Sequence, residues 1–204
     1  MYLSKLLLDI ANPSVYQALR DCQDMHRNIM KAFNQDRKSV QMLYRLVERK
    51  ECIQLYVYSS VQPDWNRVTG NGYLLQDMKE ISALPTLYGR DSILHFNLLA
   101  CPSKKVTVEG KKNSTRVLLK TPEERENWLR KQAEKYGFTV LQCTQPSADK
   151  QISGKRGGNV VLFHAVEFDG VLQITDPEIF WQAYSKGIGP EKAYGTGLLM
   201  LSRG

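Results

Sequence analysis

The side chains best suited to chemistry lie in one short run, Met25-His26-Arg27, with Lys31 four residues after Arg27. Four residues is about one helical turn, so Arg27 and Lys31 share a face, and His26 sits about 100° round from Arg27. Two cations beside a histidine favour its neutral form. Neutral imidazole takes a proton from a hydroxyl, imidazolium gives one to a leaving oxygen, and Lys or Arg stabilises a pentavalent phosphorane. That set suits metal-free RNA cleavage, in which a 2′-OH attacks its own 3′-phosphate and leaves 2′,3′-cyclic phosphate and 5′-OH ends. The plainer reading is a partly exposed helix histidine, and spacing alone does not choose between them. His95 and His164 fall in strand patterns and read as structural.

A second candidate is the segment from Gly187 to Gly197, with glycines at 187, 189, 195 and 197 and Lys192 among them. It is not a Walker A loop, having no G-K-[ST] at the required spacing. It is not a dinucleotide fingerprint, because Lys192 stands where a third glycine is required and the order is helix-loop-strand. Clustered glycines imply unusual dihedrals or a close backbone approach. Exposed N–H groups with Lys192 would suit a phosphate; a loop packed on a sheet with no ligand is the alternative.

Charge points the same way. The chain has 28 Lys and Arg against 21 Asp and Glu, a net +7. Residues 1–100 carry 12 basic against 10 acidic side chains, and residues 101–204 carry 16 against 11. Lys104, Lys105, Lys111, Lys112, Arg116 and Lys120 face only Glu109 within 104–120. Clustered basic charge suggests a polyanion partner. The helix expected from Thr121 adds Arg125, Arg130, Lys131 and Lys135. Acid at its start and base at its end also suit the helix dipole. Cys22, Cys52, Cys101 and Cys143 form no CxxC pair, and the three histidines lack metal-site spacing, so neither a metal nor a cofactor is expected. No apolar run approaches the roughly 18 residues of a membrane helix. The start, MYLSKLLLDI, reads as a first strand of a cytosolic protein.

The elements that must position these groups follow from periodicity. Residues 2–10 read as a strand and Val15 to about Asn34 as helix, with Asp21 a candidate N-cap for a helix starting at Cys22. Residues 40–49 and 52–61 read as paired strands, 62–90 as loop with a weak helix, and 92–101 as the strand closing the first half. In the second half, Val117–Leu119 is strand-like. Thr121-Pro122-Glu123-Glu124 is a strong helix start and Gly137 its stop. Residues 138–144 and 159–168 are strands, the stretch between them a hairpin tip. Asp169-Gly170 reads as a tight turn, Asp176-Pro177-Glu178 caps a last helix, and 197–203 is the final strand. Two successive β-α-β-β-α-β orders predict an α+β protein of two tandem ferredoxin-like (RRM-like) domains, 1–101 and 102–204.

Taken together these segments resemble the CasE family, the CRISPR-associated endoribonucleases that process precursor crRNA in type I-E systems. The resemblance spans nearly the whole chain. It rests on MYLSKLLL, Met25-His26-Arg27 with Lys31, Pro63-Asp64-Trp65 and Gly110-Lys111-Lys112 leading to Leu119-Lys120-Thr121-Pro122-Glu123-Glu124. Trp128-Leu129, Phe168-Asp169-Gly170-Val171-Leu172 and the glycine-rich run ending Gly195-Thr196-Gly197-Leu198-Leu199 complete it. The resemblance implies metal-independent cleavage of CRISPR repeat RNA at the 3′ base of a stem-loop. The product is retained in the Cascade surveillance complex with the other type I-E subunits. It implies His26 as general acid or base and Lys31 as transition-state stabiliser. Arg27, Lys111, Lys112, Arg116, Arg130, Lys131, Lys155, Arg156, Gly187, Gly189, Lys192, Gly195 and Gly197 are the expected RNA contacts, in a cytoplasmic, membrane-free setting. Two positions depart from the pattern: relatives carry Tyr three residues before the histidine, where this chain has Gln23, and Asn is expected where it has Cys101. The competing class is a non-catalytic RNA-binding subunit of the same fold.

Overall fold

A computed structural model of the chain describes every residue except 51, 70–71, 82–87, 108–113, 145–148 and 204. In the first half, β1 (Tyr2–Leu8) is followed by α1 (Pro13–Arg20), α2 (Cys22–Met30), the single turn α3 (Arg37–Val40), β2 (Leu43–Glu48), β3 (Ile53–Ser59), the single turn α4 (Asn66–Thr69) and β4 (Leu74–Ile81). In the second half come β5 (Ile93–Ala100), β6 (Ser103–Val106), β7 (Thr115–Leu118), α5 (Pro122–Lys135), β8 (Phe138–Cys143), β9 (Lys150–Arg156), β10 (Asn159–Ile174), α6 (Pro177–Lys186) and β11 (Leu199–Ser202). The fold is mixed α and β with antiparallel sheets. The first sheet has the order β2-β3-β1-β4 and the second β11-β5-β10-β8, with β9 added along the start of β10. A separate ladder joins β6 to β7. No helix among the described residues is long and apolar enough to cross a membrane.

Local chemistry sets the helices. Asn12 caps α1 by accepting from the Ser14 amide, with Pro13 following it. Asp21 ends α1 and caps α2 by accepting from the Gln23 and Asp24 amides, so the long helical pattern breaks there into two. Val15, Ala18, Met25 and Ile29 then face Leu6, Leu8, Leu55 and Val57 of the first sheet. Buried Ser4 on the same strand face is satisfied by Trp65 Nε1 at 3.0 Å. Thr121 and Glu124 form a full capping box on α5, and Trp128 and Leu129 bury against Phe168 and Val140. Leu43 and Tyr58 belong to that second core, so the two sheets share packed side chains.

Four expectations change. The loop read over 62–90 contains β4, whose Leu-Leu-Gln-Asp-Met-Lys-Glu-Ile run lacks the strict alternation that marks a half-buried strand. The strand read as closing the first half, β5, pairs instead with β10 and β11 in the second sheet. The described part of the hairpin tip is strand β9. Asp169-Gly170 is no turn: it lies inside the 16-residue β10, paired with Asn97 and Phe96 of β5. Gly170 is needed because an added Cβ would sit 2.0 Å from the Gln142 carbonyl oxygen, beside the register shift between β10 and β8.

Candidate active site

The site is built on α2. Besides its two capping bonds, Asp21 accepts from the Lys155 amide at 3.2 Å, which ties the β9–β10 hairpin to the start of the helix. Gly154 makes the approach possible: a Cβ there would lie 2.6 Å from Asp21 Oδ1 and 2.8 Å from Cys22 Sγ. A basic hairpin of the second half is thus pinned beside the helix that carries His26.

His26 is half-buried and Arg27 and Lys31 are exposed. His26 and Lys31, five residues apart, stand about 140° apart around the axis, with Arg27 between them. One face of α2 therefore presents the three in succession to anything lying across it. Arg27 pairs with Asp24 while its side chain stays 68% exposed. The Lys31 ammonium is held by Asn28 Oδ1 at 2.7 Å. Arg27, Lys31, Asn28 and Tyr73 line a cleft of about 560 Å³. A neighbouring cleft of about 470 Å³ is walled by Tyr16, Arg20, Arg27 and Lys155. The two share Gln17, Asp24 and Arg27, so they adjoin across α1, α2 and the hairpin. His26 lines neither of them.

The other expected residues are distributed as follows. Lys155 comes to α2 and is exposed. Arg116 on β7 is exposed and donates to Ser103 Oγ at 3.2 Å. Arg130 is exposed on α5, donating to Glu126 at 2.7 Å and to the Val140 carbonyl at 3.1 Å; Lys131 beside it is exposed. Lys111 and Lys112 lie outside the described residues, and Arg156 is placed only as backbone at the end of β9. Arg125, from the same basic helix, is buried on the Leu119 carbonyl at 3.0 Å and Asp149 at 2.6 Å, a structural use of the charge.

The glycine-rich loop is occupied by the protein itself. Gly187, Gly195 and Gly197 are buried and Gly189 partly so, with Trp128 over it. Gly195 at φ 84° would put a Cβ 2.9 Å from the Tyr44 ring, and Gly197 at φ 83° would put one 2.8 Å from the Ile188 carbonyl. Lys192 donates to the Lys186 and Gly187 carbonyls at 2.8 and 2.9 Å, satisfying the end of α6. Burial pushes its ammonium pKa down, with Lys135 and Lys186 adding to the shift. In this geometry the Lys192 ammonium and the Cα faces of Gly187, Gly195 and Gly197 are turned toward neighbours within the chain.

Cys22, next to Asp21, is pushed up to about 11 by burial, then by the neighbouring carboxylate, so it stays a thiol at neutral pH. Among the described residues no three His, Cys, Asp or Glu side chains gather as a metal site. Sequence reasoning gave no role to Tyr194, whose hydroxyl accepts a hydrogen bond from Gln23 Nε2 across a separation of 171 residues. Nothing local in the sequence signals that contact.

A family model for CRISPR associated protein matches residues 1–203. The CRISPR-associated endoribonuclease Cse3 of Thermus thermophilus is 31% identical over 217 residues, spanning 99% of this chain and 100% of that protein. The structure of CRISPR endoribonuclease Cse3 bound to a 19-nucleotide RNA matches with a TM-score of 0.87 at 29% identity, over 99% of this chain and 100% of that one. A chain of a CRISPR RNA-guided surveillance complex, 23% identical over the full length of both chains, has the same fold at a TM-score of 0.73. Over its whole length, then, this chain belongs to the family of CRISPR associated proteins.

Proposed function

We propose that this protein is a metal-independent endoribonuclease that cuts the stem-loop of CRISPR repeat RNA at the 3′ base of the stem. In this reading it keeps the cut RNA and works in the cytoplasm within a type I-E surveillance complex. The observation that carries it is the side of α2 on which half-buried His26 is followed by exposed Arg27 and Lys31, with Lys155 lining the adjoining cleft. The family relation to an endoribonuclease supports it. Four free cysteines suit a reducing compartment. The fold reading is two tandem ferredoxin-like units. Numbering the four paired strands of each half by chain order, both sheets run fourth-first-third-second, which supports it.

In the reaction, the 2′ oxygen bonds to phosphorus as the bond to the 5′ oxygen breaks. His26 handles the proton, as base toward the 2′-OH or acid toward the leaving oxygen. Lys31, with Arg27, neutralises charge on the phosphorane oxygens. Arg116, Arg130, Lys131 and Lys155, with Lys111, Lys112 and Arg156, are the candidate grip on the stem. A repeat hairpin carrying 2′-deoxyribose at the cleaved nucleotide tests the reading. It should bind like the ribose form and remain uncut; cutting of the deoxy form would refute attack by the 2′-OH.

A further inference from the structure

The loop that ends in Gly195 delivers one polar group to the helix of His26. Tyr194 closes the 3-10 turn Lys192–Tyr194, and its Oη accepts from Gln23 Nε2. Gln23 is three residues before His26, so the two lie on one side of α2, about 60° apart. The phenol is held from several directions. Its ring packs against Phe163 of β10 at 5.7 Å. Cys22 and Ala193 bury with it in one small cluster. The next residue, Gly195, closes on Tyr44 of the first sheet. Tyr194 keeps 9% of its surface exposed.

The direction of the bond matters. The amide of Gln23 is the donor and the phenol oxygen the acceptor, so the Tyr194 proton is not used on Gln23. Gln23 thereby fixes the hydroxyl without occupying its donor. Neither Gln23 nor any other residue from 22 to 31 on this helix carries a hydroxyl.

We infer that Tyr194 is a further catalytic residue: its hydroxyl, aimed by Gln23, donates a hydrogen bond to the phosphodiester lying over His26. The inference rests on the endoribonuclease reading and assigns the glycine-rich loop its part in it. The loop is glycine-rich so that it can pack tightly enough to place this phenol, not so that it can wrap a phosphate. It also makes the site composite, with the histidine on one half of the chain and the hydroxyl on the other.

Single-turnover cleavage of a CRISPR repeat hairpin tests it, with wild type, H26A, Y194F, Q23Y and the double variant Q23Y/Y194F measured side by side. Y194F keeps the ring and its packing, so its melting temperature and hairpin affinity should stay within error of wild type while its cleavage rate falls about tenfold or more. In the double variant, a phenol restored on the same side of α2 should recover at least part of that rate. Equal cleavage by Y194F and wild type would overturn the inference. So would a loss that comes with weaker binding or a lower melting temperature and is not recovered in the double variant, since that pattern marks packing alone. If wild type itself leaves the hairpin intact, it is the endoribonuclease reading that fails, and the two failures are told apart.

Discussion

Replacing Arg45 probes the joint between the two sheets. Its side chain on β2 is only 5% exposed and donates to Glu167 of β10 at 2.8 Å and to Asn97 of β5 at 3.3 Å. Burial lowers its pKa and the Glu167 carboxylate opposes that shift. Its Nε is buried with no hydrogen-bond partner among the described residues. In Arg45→Ala the long apolar stem is lost from a packed site, costing about 2 kcal/mol. The charge-assisted hydrogen bond adds about 1.5 kcal/mol. Glu167 is 43% exposed, so water relieves the charge left behind and the total stays near 3–4 kcal/mol, below the penalty for a fully buried orphan. In Arg45→Met the stem survives and the unsatisfied Nε disappears. Relief of about 1–2 kcal/mol then offsets most of the lost hydrogen bond, leaving a net change within about 1 kcal/mol. Thermal unfolding followed by circular dichroism reads both. At about 2–4 °C per kcal/mol for a chain of this size, Arg45→Ala should melt roughly 6–16 °C lower and Arg45→Met within about 4 °C of wild type. Equal, large losses in both variants would refute the ledger, because they would mean the guanidinium itself and not its stem holds the joint.

Other consequences are simpler to state. Gly195→Ala forces a left-handed φ of 84° on a side chain that meets the Tyr44 ring, and should destabilise by about 2–4 kcal/mol in thermal unfolding. For Glu167, burial pushes the carboxyl pKa up, but Asn97 and Arg45 more than offset it, so the folded value lies below the usual 4.5. Its contribution to stability is therefore present above that value and fades as pH falls through the folded one; Glu167→Gln should flatten that acid limb of the stability curve. Lys31→Ala should lower the cleavage rate about 10²-fold with hairpin affinity changed by less than threefold, measured by single-turnover kinetics and filter binding. Hairpin affinity of the wild type should fall linearly on a log–log plot against salt, and Lys155→Ala should make that slope shallower by about 1 if the lysine meets a phosphate.

The parts of the fold that were legible in the sequence are those written locally. Asp21, Thr121 and Asp176 announce their helices through short-range hydrogen bonds, and β1 and β3 announce themselves by alternation. What was not legible is which strand joins which sheet. Ile93–Ala100 looks the same whether it closes the first sheet or joins the second, and only its pairing with Val166–Gln173 decides. Asp169-Gly170 misleads because a glycine demanded by a neighbouring carbonyl and a glycine demanded by a turn are the same letter. Within the site, the run His26-Arg27-Lys31 could be read from spacing and resemblance. The pinning of Lys155 to Asp21 and the bond from Gln23 to Tyr194 could not, since each spans more than a hundred residues. The hydrogen bonds from Lys192 to the Lys186 and Gly187 carbonyls at the end of α6 were not legible in the glycine spacing either.

Whether His26 makes this chain a metal-independent ribonuclease is read by incubating a CRISPR repeat hairpin in EDTA with wild type and with His26→Ala. Wild type should cut once at the 3′ base of the stem, leaving a 2′,3′-cyclic phosphate, and the variant should bind the hairpin equally well without cutting it. Tight binding by both proteins with no cleavage by either, or undiminished cleavage by His26→Ala, would contradict that role.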